Sequence, residues 1–506
     1  MSNQIAGNRG KLRTVFLGVD VGTSSTKGVL VDAAGTILSR TKRTHAVDRP
    51  APGHVEMSAD IWWDEFCSIA TELLARDDVA VGAVGVSGMG PCTLLTDGDG
   101  RPLRPAILYG VDSRAGQQID RINDELGAAA VFERCGSALS SQAVGPKLAW
   151  VRENEPDVWR HARRLFMPAS WLAYRLTGTY TLDFHSASQC DPLFDIHQQT
   201  WVPDWWAHVA PGLEVPPLRW PGDQAGQVRV DVAGIPKGTP VIVGTIDAWT
   251  EAISVGAQGI GDLMLMYGTT MFLINTVAEL VTSSSMWATV GALPGTRNLA
   301  GGMATSGAVT DWFQQIFGEK DYSLLLSEAR ASPPGARGLL MLPYFAGERT
   351  PVFDPDARGV IAGLALNHVR GDLLRAGLEA TALGVRHNVE ALVAAGGDVR
   401  RVVAVGGGTQ GGLWTQIVSD VTSLEQVVPR HTVGASYGAA FLAAGLIGSP
   451  DITVWNPPAT VITPDSSNAE LYHDRYIAYR SLYEQTKDIS HDLAHNQADA
   501  SKGIAR

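Results

Sequence analysis

Apolar strands of this chain end repeatedly in glycine followed by threonine. The first runs from Thr14 to Asp20 and is followed by Gly22-Thr23. Glycine leaves backbone N–H groups free to form a concave anion site, and the threonine hydroxyl adds a further donor. The pattern in both halves predicts an internally duplicated α/β core whose strand ends meet at one phosphate-binding cleft. The later occurrences are Gly244-Thr245, Gly268-Thr269 and Gly408-Thr409.

The composition excludes some classes of protein and favours a small-molecule ligand. The chain has 506 residues, of which 45% are hydrophobic, and its 55 glycines show no Gly-X-Y period, so a collagen-like chain is excluded. A net charge of −12 without blocks of like charge argues against nucleic acid and membrane partners and favours a small-molecule substrate. The four cysteines lack metal-site or disulfide-framework spacing, and the first residues lack a signal-peptide pattern. A cytoplasmic protein is expected.

Local patterns predict the elements around the Gly-Thr sites. The opening segment is expected to form an antiparallel meander, and Ser58 is expected to cap the helix that follows it. A late Ala-rich helix is suited to close packing against a backbone. The predicted elements are strands at Thr14–Asp20, Lys27–Asp32, Thr36–Thr44 and Val79–Val86, and helices at Asp372–Ala395 and Tyr437–Leu446.

The first Gly-Thr loop has the composition of a phosphate site. It carries hydroxyls at Thr23 and Ser24, a cation at Lys27 and a carboxylate at Asp20. Two bare anions would repel, so a carboxylate beside a phosphate loop implies a divalent cation between them. Asp20 is therefore a candidate Mg²⁺ anchor, acting through water.

Asp247 allows two interpretations. It follows Gly244-Thr245-Ile246 at the end of an apolar strand. A carboxylate there could accept a proton from a substrate hydroxyl that attacks the γ-phosphate. An aspartate that caps a turn has the same position, and the position alone does not separate the two.

A different class of enzyme is suggested by the last glycine-rich segment. Gly406, Gly408 and Gly411 satisfy G-x-G-x-x-G after a strand and before a helix, as in dinucleotide-binding oxidoreductases. The match stands alone, late in the chain and without its own βαβ unit. A P-loop kinase is not indicated, because the chain has no Walker A motif.

Taken in order, the motifs resemble those of the FGGY carbohydrate kinases, within the superfamily of sugar kinases, chaperone ATPases and actin. The resemblance implies two α/β domains of ribonuclease H-like (actin-like ATPase) fold, with central mixed sheets flanked by helices and the active site in the cleft between them. The expected domains are an N-terminal sugar-binding domain at 12–253 and a C-terminal nucleotide-binding domain at 254–495. The motifs are Asp20 to Lys27, Gly244 to Ala248, Gly268 to Thr270, Tyr344 to Gly359, Gly406 to Trp414 and Gly434 to Gly438.

The resemblance also implies ATP and Mg²⁺ as cofactors and assigns roles to matching positions. Asp247 corresponds to the catalytic base and Asp20 to the metal-associated aspartate. The remaining cofactor-binding positions contact the phosphates or the nucleoside. They are Gly22, Thr23, Ser24, Lys27, Gly268, Thr269, Thr270, Gly407, Gly408 and Gln410.

Substrate identity is less constrained by the resemblance. Xylulokinases carry Met-His where this chain has Gly90-Pro91, and the residue after Asp247 is Ala248 instead of Asn or Gln. Both changes remove hydrogen-bonding partners for sugar hydroxyls. A ketopentose such as xylulose is expected, with ribulose, gluconate or a polyol such as glycerol or erythritol as alternatives. The candidate substrate-binding residues are Met89, Gly90, Asp112, Arg114 and Asp247. Members of the family are often dimers, which makes a homodimer the expected assembly.

Overall fold

The computed structural model describes residues 12–504, with side chains described through residue 497. The described chain forms two compact units, and each contains more than one chain segment. Unit 1 comprises the described residues through Gln258 together with Thr289–Arg297 and Val433–Pro457. Unit 2 comprises Gly259–Ala288, Asn298–Thr432 and the described residues from Pro458 onward. The domain limits expected from the sequence, 12–253 and 254–495, stay a prediction.

The strands are numbered in chain order. They are β1 (Arg13–Val21), β2 (Ser25–Asp32), β3 (Ile37–Thr44), β4 (Glu56–Met57), β5 (Val79–Gly88), β6 (Leu94–Thr96), β7 (Ala106–Ile107), β8 (Arg164–Phe166), β9 (Leu182–Asp183), β10 (Phe194–Asp195), β11 (Thr200–Trp201), β12 (Leu218–Arg219), β13 (Gln224–Gln227), β14 (Pro240–Ile242), β15 (Thr245–Ile246), β16 (Asp262–Tyr267), β17 (Met271–Val277), β18 (Trp287–Val290), β19 (Arg297–Met303), β20 (Leu340–Leu342), β21 (Val360–Ala362), β22 (Arg401–Val405), β23 (Gln426–Pro429) and β24 (Pro458–Ile462).

The helices are numbered in the same way. They are α1 (Ala59–Leu73), α2 (Gly116–Leu126), α3 (Ala128–Cys135), α4 (Val144–Asn154), α5 (Pro156–His161), α6 (Pro168–Thr177), α7 (Phe184–Ala187), α8 (Pro203–Val209), α9 (Asp247–Ser254), α10 (Gly307–Phe317), α11 (Tyr322–Ala331), α12 (Arg370–Ala394), α13 (Leu413–Thr422), α14 (Ala435–Ala444), α15 (Ile452–Trp455) and α16 (Ala469–Ile504).

The main sheet of unit 1 is mixed. Its strands follow the order β13-β14-β5-β1-β2-β3, and β15 also pairs with β5. β1, β2 and β3 are joined as antiparallel neighbours, which confirms the predicted meander, and β1 is parallel to β5. Ser58 caps α1 by accepting a hydrogen bond from the backbone N–H of Asp60, as the sequence predicts. Buried apolar side chains of β1 and β5 place this pair in the core.

Helix α14 packs directly on that sheet because the contacting residues are small. A Cβ on Gly18 of β1 would lie 2.0 Å from the carbonyl oxygen of Ser436. A Cβ on Gly85 of β5 would lie equally close, at 2.0 Å, to the carbonyl oxygen of Ala439. On another side of the helix, a Cβ on Gly438 would lie 2.0 Å from the carbonyl of Thr250 in α9. The predicted packing of an Ala-rich helix against backbone is confirmed.

Unit 2 contains a sheet with a related order. Its strands β19, β17, β16, β22, β23 and β24 are successive neighbours. β16 pairs antiparallel with β17 and parallel with β22, as β1 pairs with β2 and β5 in unit 1. This correspondence supports the predicted duplication. The amphipathic helix expected from Asp372 to Ala395 is present as α12. Within residues 12–504, no helix combines the length and apolar character needed to cross a membrane.

Candidate functional site

A row of polar residues crosses the sheet of unit 1 near the carboxyl end of β1. Asp20 lies opposite Lys27 of β2 and opposite Ser87 of β5. Ser87 in turn lies opposite Thr245 of β15. Because β1, β5 and β15 are parallel, their carboxyl ends reach the same edge of the sheet, where ligands of α/β proteins commonly bind. The row therefore brings together residues from two of the predicted motifs, with Ser87 of β5 between them.

Asp20 is a buried carboxylate with an unsatisfied oxygen. Its side chain is 5% exposed, and Oδ1 makes no hydrogen bond within the described part of the chain. Burial raises the pKa of Asp20, the nearby Asp247 carboxylate raises it further, and the Lys27 ammonium opposes both. A buried anionic oxygen without a donor is costly unless a ligand, water or ion completes it. Asp20 thus has a free acceptor in the predicted phosphate region.

Asp247 is the first residue of α9, immediately after β15. Its Oδ1 accepts a hydrogen bond of 2.8 Å from the backbone N–H of Ala248. Burial raises the pKa of Asp247, and the Ala248 N–H and Lys27 ammonium oppose the rise. One carboxylate oxygen is therefore held by the start of the helix while the group shares the charge of Lys27 with Asp20. A carboxylate held in this way keeps a fixed orientation.

Glu251 is a third carboxylate of this cluster, and the sequence analysis missed it. It follows Asp247 by four residues on α9, a spacing that places two side chains on one helical face. Burial raises the pKa of Glu251 to about 7, with Lys27 opposing the rise. The i, i+4 spacing from Asp247 was the available signal. It becomes informative only once the helix is known to begin at Asp247.

Another buried carboxylate, Asp183, contacts the Thr245 end of the polar row. The hydroxyl of Thr245 donates to Asp183 Oδ1 at 2.7 Å. Asp183 also accepts from the backbone N–H of Ser186 and so caps the short helix α7. Burial raises the pKa of Asp183 to about 6, although these donors lower it. Thr245 is consequently fixed within unit 1 by its side chain.

The first Gly-Thr loop turns tightly between β1 and β2. The backbone N–H of Gly22 donates to the carbonyl of Ser25 at 3.1 Å. The Thr23 hydroxyl lies 2.9 Å from the hydroxyl of Tyr109. Ser24 and Lys27 are exposed. The predicted phosphate-binding residues therefore lie on one turn, with exposed donors and a cation beside the buried Asp20.

Met89 and Gly90 directly follow β5, and Met89 contacts the end of β1 beside the first Gly-Thr loop. The backbone N–H of Met89 donates to the carbonyl of Val21 at 2.7 Å, and its side chain is 1% exposed. A Cβ on Gly90 would lie 2.6 Å from a side-chain carbon of Ile246. A side chain at residue 90 would therefore force the side chain of Ile246, in the segment that leads into Asp247, to move.

Asp112 and Arg114 form a buried ion pair. Neither side chain has exposed surface, and Arg114 Nη2 donates to Asp112 Oδ2 at 2.7 Å. Arg114 also donates to Glu56 at 2.6 Å, and its guanidinium lies over the ring of Trp150. Asp112 accepts from the backbone N–H of Val55 at 2.6 Å. The structure thus places both residues in an internal network, and direct sugar contact by either stays a prediction.

The second predicted phosphate turn lies in unit 2, between β16 and β17. The N–H of Gly268 donates to the carbonyl of Thr270 at 3.2 Å. The carbonyls of Gly268 and Thr269 accept from the first residues of α10 and from Ser306 before it. Thr269 is exposed and Gly268 and Thr270 are partly exposed. These contacts fix the backbone of the turn and leave its hydroxyls accessible.

The predicted nucleoside segment follows β22 in unit 2. Gly407 and Gln410 are exposed, and a Cβ on Gly407 would meet no atom within 4 Å. Gly408 has a different reason to be glycine, because a Cβ there would lie 2.6 Å from the ring of Trp414. The indole N–H of Trp414 donates to the hydroxyl of Thr381 at 2.9 Å. Of this glycine pair, Gly407 alone presents bare, open backbone.

A metal centre formed only by protein side chains is not found in the described residues: no group of three or more His, Cys, Asp or Glu is arranged to hold an ion. The unsatisfied Oδ1 of Asp20 nevertheless fits an ion that is bound through water. Mg²⁺ commonly keeps several waters and uses only one or two carboxylates plus substrate phosphates. The single orphaned oxygen is therefore compatible with Mg²⁺ at Asp20.

Comparison with known proteins connects this geometry to a family. Residues 15–254 match the N-terminal domain of the FGGY family of carbohydrate kinases, and residues 263–446 match its C-terminal domain. A xylulose kinase of Staphylococcus epidermidis is 28% identical over 497 residues, covering 95% of this chain and 99% of that protein. A glycerol kinase of Nocardia farcinica is 28% identical over 485 residues, covering 88% and 95%.

A solved structure gives the same result. The crystal structure of xylulose kinase from Rhodospirillum rubrum has a TM-score of 0.87 and 31% identity, covering 94% of this chain and 99% of that one. The expected two-part α/β fold of the actin-like ATPase type is confirmed, as is the carbohydrate kinase interpretation. The dinucleotide oxidoreductase alternative is not supported by these matches.

Proposed function

Because the chain belongs to the FGGY family of carbohydrate kinases, we propose that it transfers the γ-phosphate of ATP to a hydroxyl of a ketopentose such as xylulose. As a member of that family it is a phosphotransferase with an alcohol group as acceptor. Two relatives that match nearly the whole chain are named xylulose kinase, which supports a ketopentose as the substrate. The observation that carries the residue assignments is the cluster of Asp20, Asp247 and Lys27 at the strand ends of unit 1.

Asp247 is the proposed general base. Its carboxylate is oriented by the Ala248 N–H, which leaves the other oxygen to accept the proton of the attacking hydroxyl. The raised pKa of Asp247 increases its basicity, while Lys27 keeps the ionised form accessible. Asp247 can therefore cap the turn and act as a base at the same time, since Oδ1 accepts from the Ala248 N–H and Oδ2 is left for the substrate hydroxyl.

The first loop is proposed to bind ATP phosphates. Thr23 and Ser24 offer backbone and hydroxyl donors, Gly22 leaves the turn without a side chain at its first residue, and the exposed Lys27 offers a positive charge. Donors aimed at developing negative charge stabilise the transferring phosphoryl group. In unit 2, Gly268, Thr269 and Thr270 are proposed to contact phosphates, and Gly407, Gly408 and Gln410 to contact the nucleoside.

Asp20 is the proposed anchor for Mg²⁺, held through water at the unsatisfied Oδ1. When bound, the ion offsets negative charge on ATP oxygens. Lys27 acts on the same region from the opposite strand and limits repulsion between Asp20 and Asp247. Lys27 therefore offsets part of the negative charge of Asp20 and Asp247, and bound Mg²⁺ would offset the charge of the ATP phosphates.

A polyol is the second candidate substrate. Gly90 and Pro91 provide no side-chain hydrogen-bonding group, and Met89 is buried and apolar. A substrate that makes fewer hydroxyl contacts at this position, such as glycerol or erythritol, fits these residues. Ribulose and gluconate are the remaining alternatives, and the assay below includes them. The cytoplasmic location and homodimer expected from the sequence stay predictions.

Coupled ADP release tests the function and names the substrate. The protein is assayed with ATP and Mg²⁺ against xylulose, ribulose, glycerol, erythritol and gluconate. We expect the highest kcat/KM with a ketopentose. A clear preference for a polyol would replace the ketopentose by the second candidate, and no stimulation by any sugar, sugar acid or polyol would contradict the proposed function.

Asp247→Asn tests the base. We expect kcat to fall by about 10²- to 10⁴-fold, the usual contribution of a general base, while ATP still binds. Asp120→Asn is the matched control, because Asp120 is an exposed aspartate of α2. Turnover of Asp247→Asn at the control rate would contradict the assignment.

A further inference from the structure

His45 lies directly after β3 and contacts the first Gly-Thr loop. Its Nε2 is 3.0 Å from the carbonyl oxygen of Gly22. Its own backbone N–H donates to the carbonyl of Ser24 at 3.1 Å. The same residue therefore holds two carbonyls of the turn that carries the proposed phosphate-binding donors. Its side chain is 5% exposed.

The second ring nitrogen of His45 is also engaged. Nδ1 lies 2.9 Å from Oε2 of Glu65, on α1. A backbone carbonyl can only accept, so Nε2 carries a proton and donates to Gly22. The contact between Nδ1 and the Glu65 carboxylate oxygen holds the other side of the ring. Glu65 thereby fixes the plane of the ring and directs Nε2 at the turn.

We propose that His45, oriented by Glu65, is a positioning residue for ATP: it holds the Gly22 and Ser24 carbonyls away from the bound phosphates so that the N–H and hydroxyl donors of the loop face them. Carbonyl oxygens repel phosphate, so a loop that binds it must direct its carbonyls elsewhere. The inference rests on the proposed function, since it assigns the ligand of the loop as ATP. It adds two residues that no motif of the sequence analysis contains.

Variants of His45 separate positioning from general structural support. His45→Ala removes both ring contacts, and we expect the KM for ATP to rise about tenfold while the KM for the sugar changes less than twofold. His45→Gln can still donate an N–H to Gly22 and is expected to recover part of the loss. Glu65→Ala is expected to resemble His45→Ala in direction, because the ring loses its fixed orientation.

The control is His161→Ala. His161 is an exposed histidine at the end of α5 whose Nδ1 contacts the carbonyl of Asp157 in its own helix. Both substitutions remove an imidazole from unit 1, but only His45 contacts the loop. Thermal unfolding of all variants, compared with their kinetic parameters, separates lost stability from lost ATP affinity.

Direct titration with a fluorescent ATP analogue distinguishes failure of this inference from failure of the proposed function. If the wild-type protein shows no sugar-dependent ADP release, the proposed function is contradicted. The titration would still measure how His45 affects the affinity for ATP. Binding by His45→Ala that equals binding by the control overturns the inference. So does an equal loss in His45→Gln and His45→Ala, or a larger change in the KM for sugar than for ATP.

Discussion

At the scale of single residues, a role depends on which partners already occupy a side chain. Asp112 and Arg114 belong to types that bind sugars, yet each is engaged by buried protein groups. Asp20 has the opposite character, since one of its oxygens has no donor among the described residues. The same residue types thus divide into an internally bonded pair and a carboxylate with one unsatisfied oxygen, a division that motif position does not reveal.

Tyr109 is a residue whose contact gives a prediction. Its hydroxyl lies 2.9 Å from that of Thr23 and so helps to orient a proposed phosphate donor. Tyr109→Phe should lower kcat/KM for ATP by about two- to tenfold, the range expected for one hydrogen bond. Steady-state kinetics with varied ATP would measure it. The control is Tyr180→Phe, which removes a hydroxyl bonded to the carbonyl of Glu214. Equal ATP kinetics in the two variants would contradict this role.

At the scale of elements, the position of β1 and β5 depends on their contact with α14. Glycines at residues 18 and 85 let the helix backbone approach the strands, and the residues of α14 that meet them are small: Ser436, Ala439 and Ala440. Asp20 and Ser87 lie two residues beyond those glycines on the same strands. Close packing here therefore fixes the strand ends on which the candidate site is built.

Gly85→Ala tests this packing. The added methyl group would meet backbone atoms of Ala439, which cannot move aside as a side chain can. We expect the free energy of unfolding to fall by about 1–3 kcal/mol, as for overpacked cores. Gly98→Ala is the control, because a Cβ at this exposed glycine meets nothing within 4 Å. Denaturant unfolding measures both, and equal stability would show that the helix adjusts freely.

At the scale of the whole molecule, buried carboxylates affect how stability depends on pH. Asp191 is 8% exposed, and its Oδ1 has no hydrogen-bond partner within the described residues. Burial raises the pKa of Asp191 to about 8. The unfolded chain ionises this group near pH 4 while the folded chain keeps it protonated, so folding stability falls as pH rises from about 4 to about 8.

Asp191→Asn removes this proton linkage. We expect the variant to gain stability relative to wild type as pH rises from 5 to 8, with little further relative gain above about pH 8. Unfolding by denaturant at several pH values measures the difference. Asp99→Asn, at an exposed loop residue, should follow the wild-type pH dependence. A constant difference between Asp191→Asn and wild type across this range would contradict the linkage.

Much of the fold could be predicted because its signals are local. The β1 to β3 meander, the Ser58 cap, α12 and the Ala-rich α14 all appear close to their expected positions. Boundaries shift by one or two residues where strand pairing extends past the apolar run. The segments that make up each compact unit could not be predicted, since chain order does not show that Val433–Pro457 joins unit 1.

The sequence by itself determined the kinase family, the Gly-Thr turns and the candidate carboxylates Asp20 and Asp247, because each depends on residues adjacent in the chain. Only the tertiary structure decided which distant groups meet them: Tyr109 at Thr23, and His45 with Glu65 at Gly22. It also showed that Asp112 and Arg114 are paired internally. The physical reason is that side-chain hydrogen bonds and burial depend on sheet register and helix packing, which bring together residues far apart in sequence.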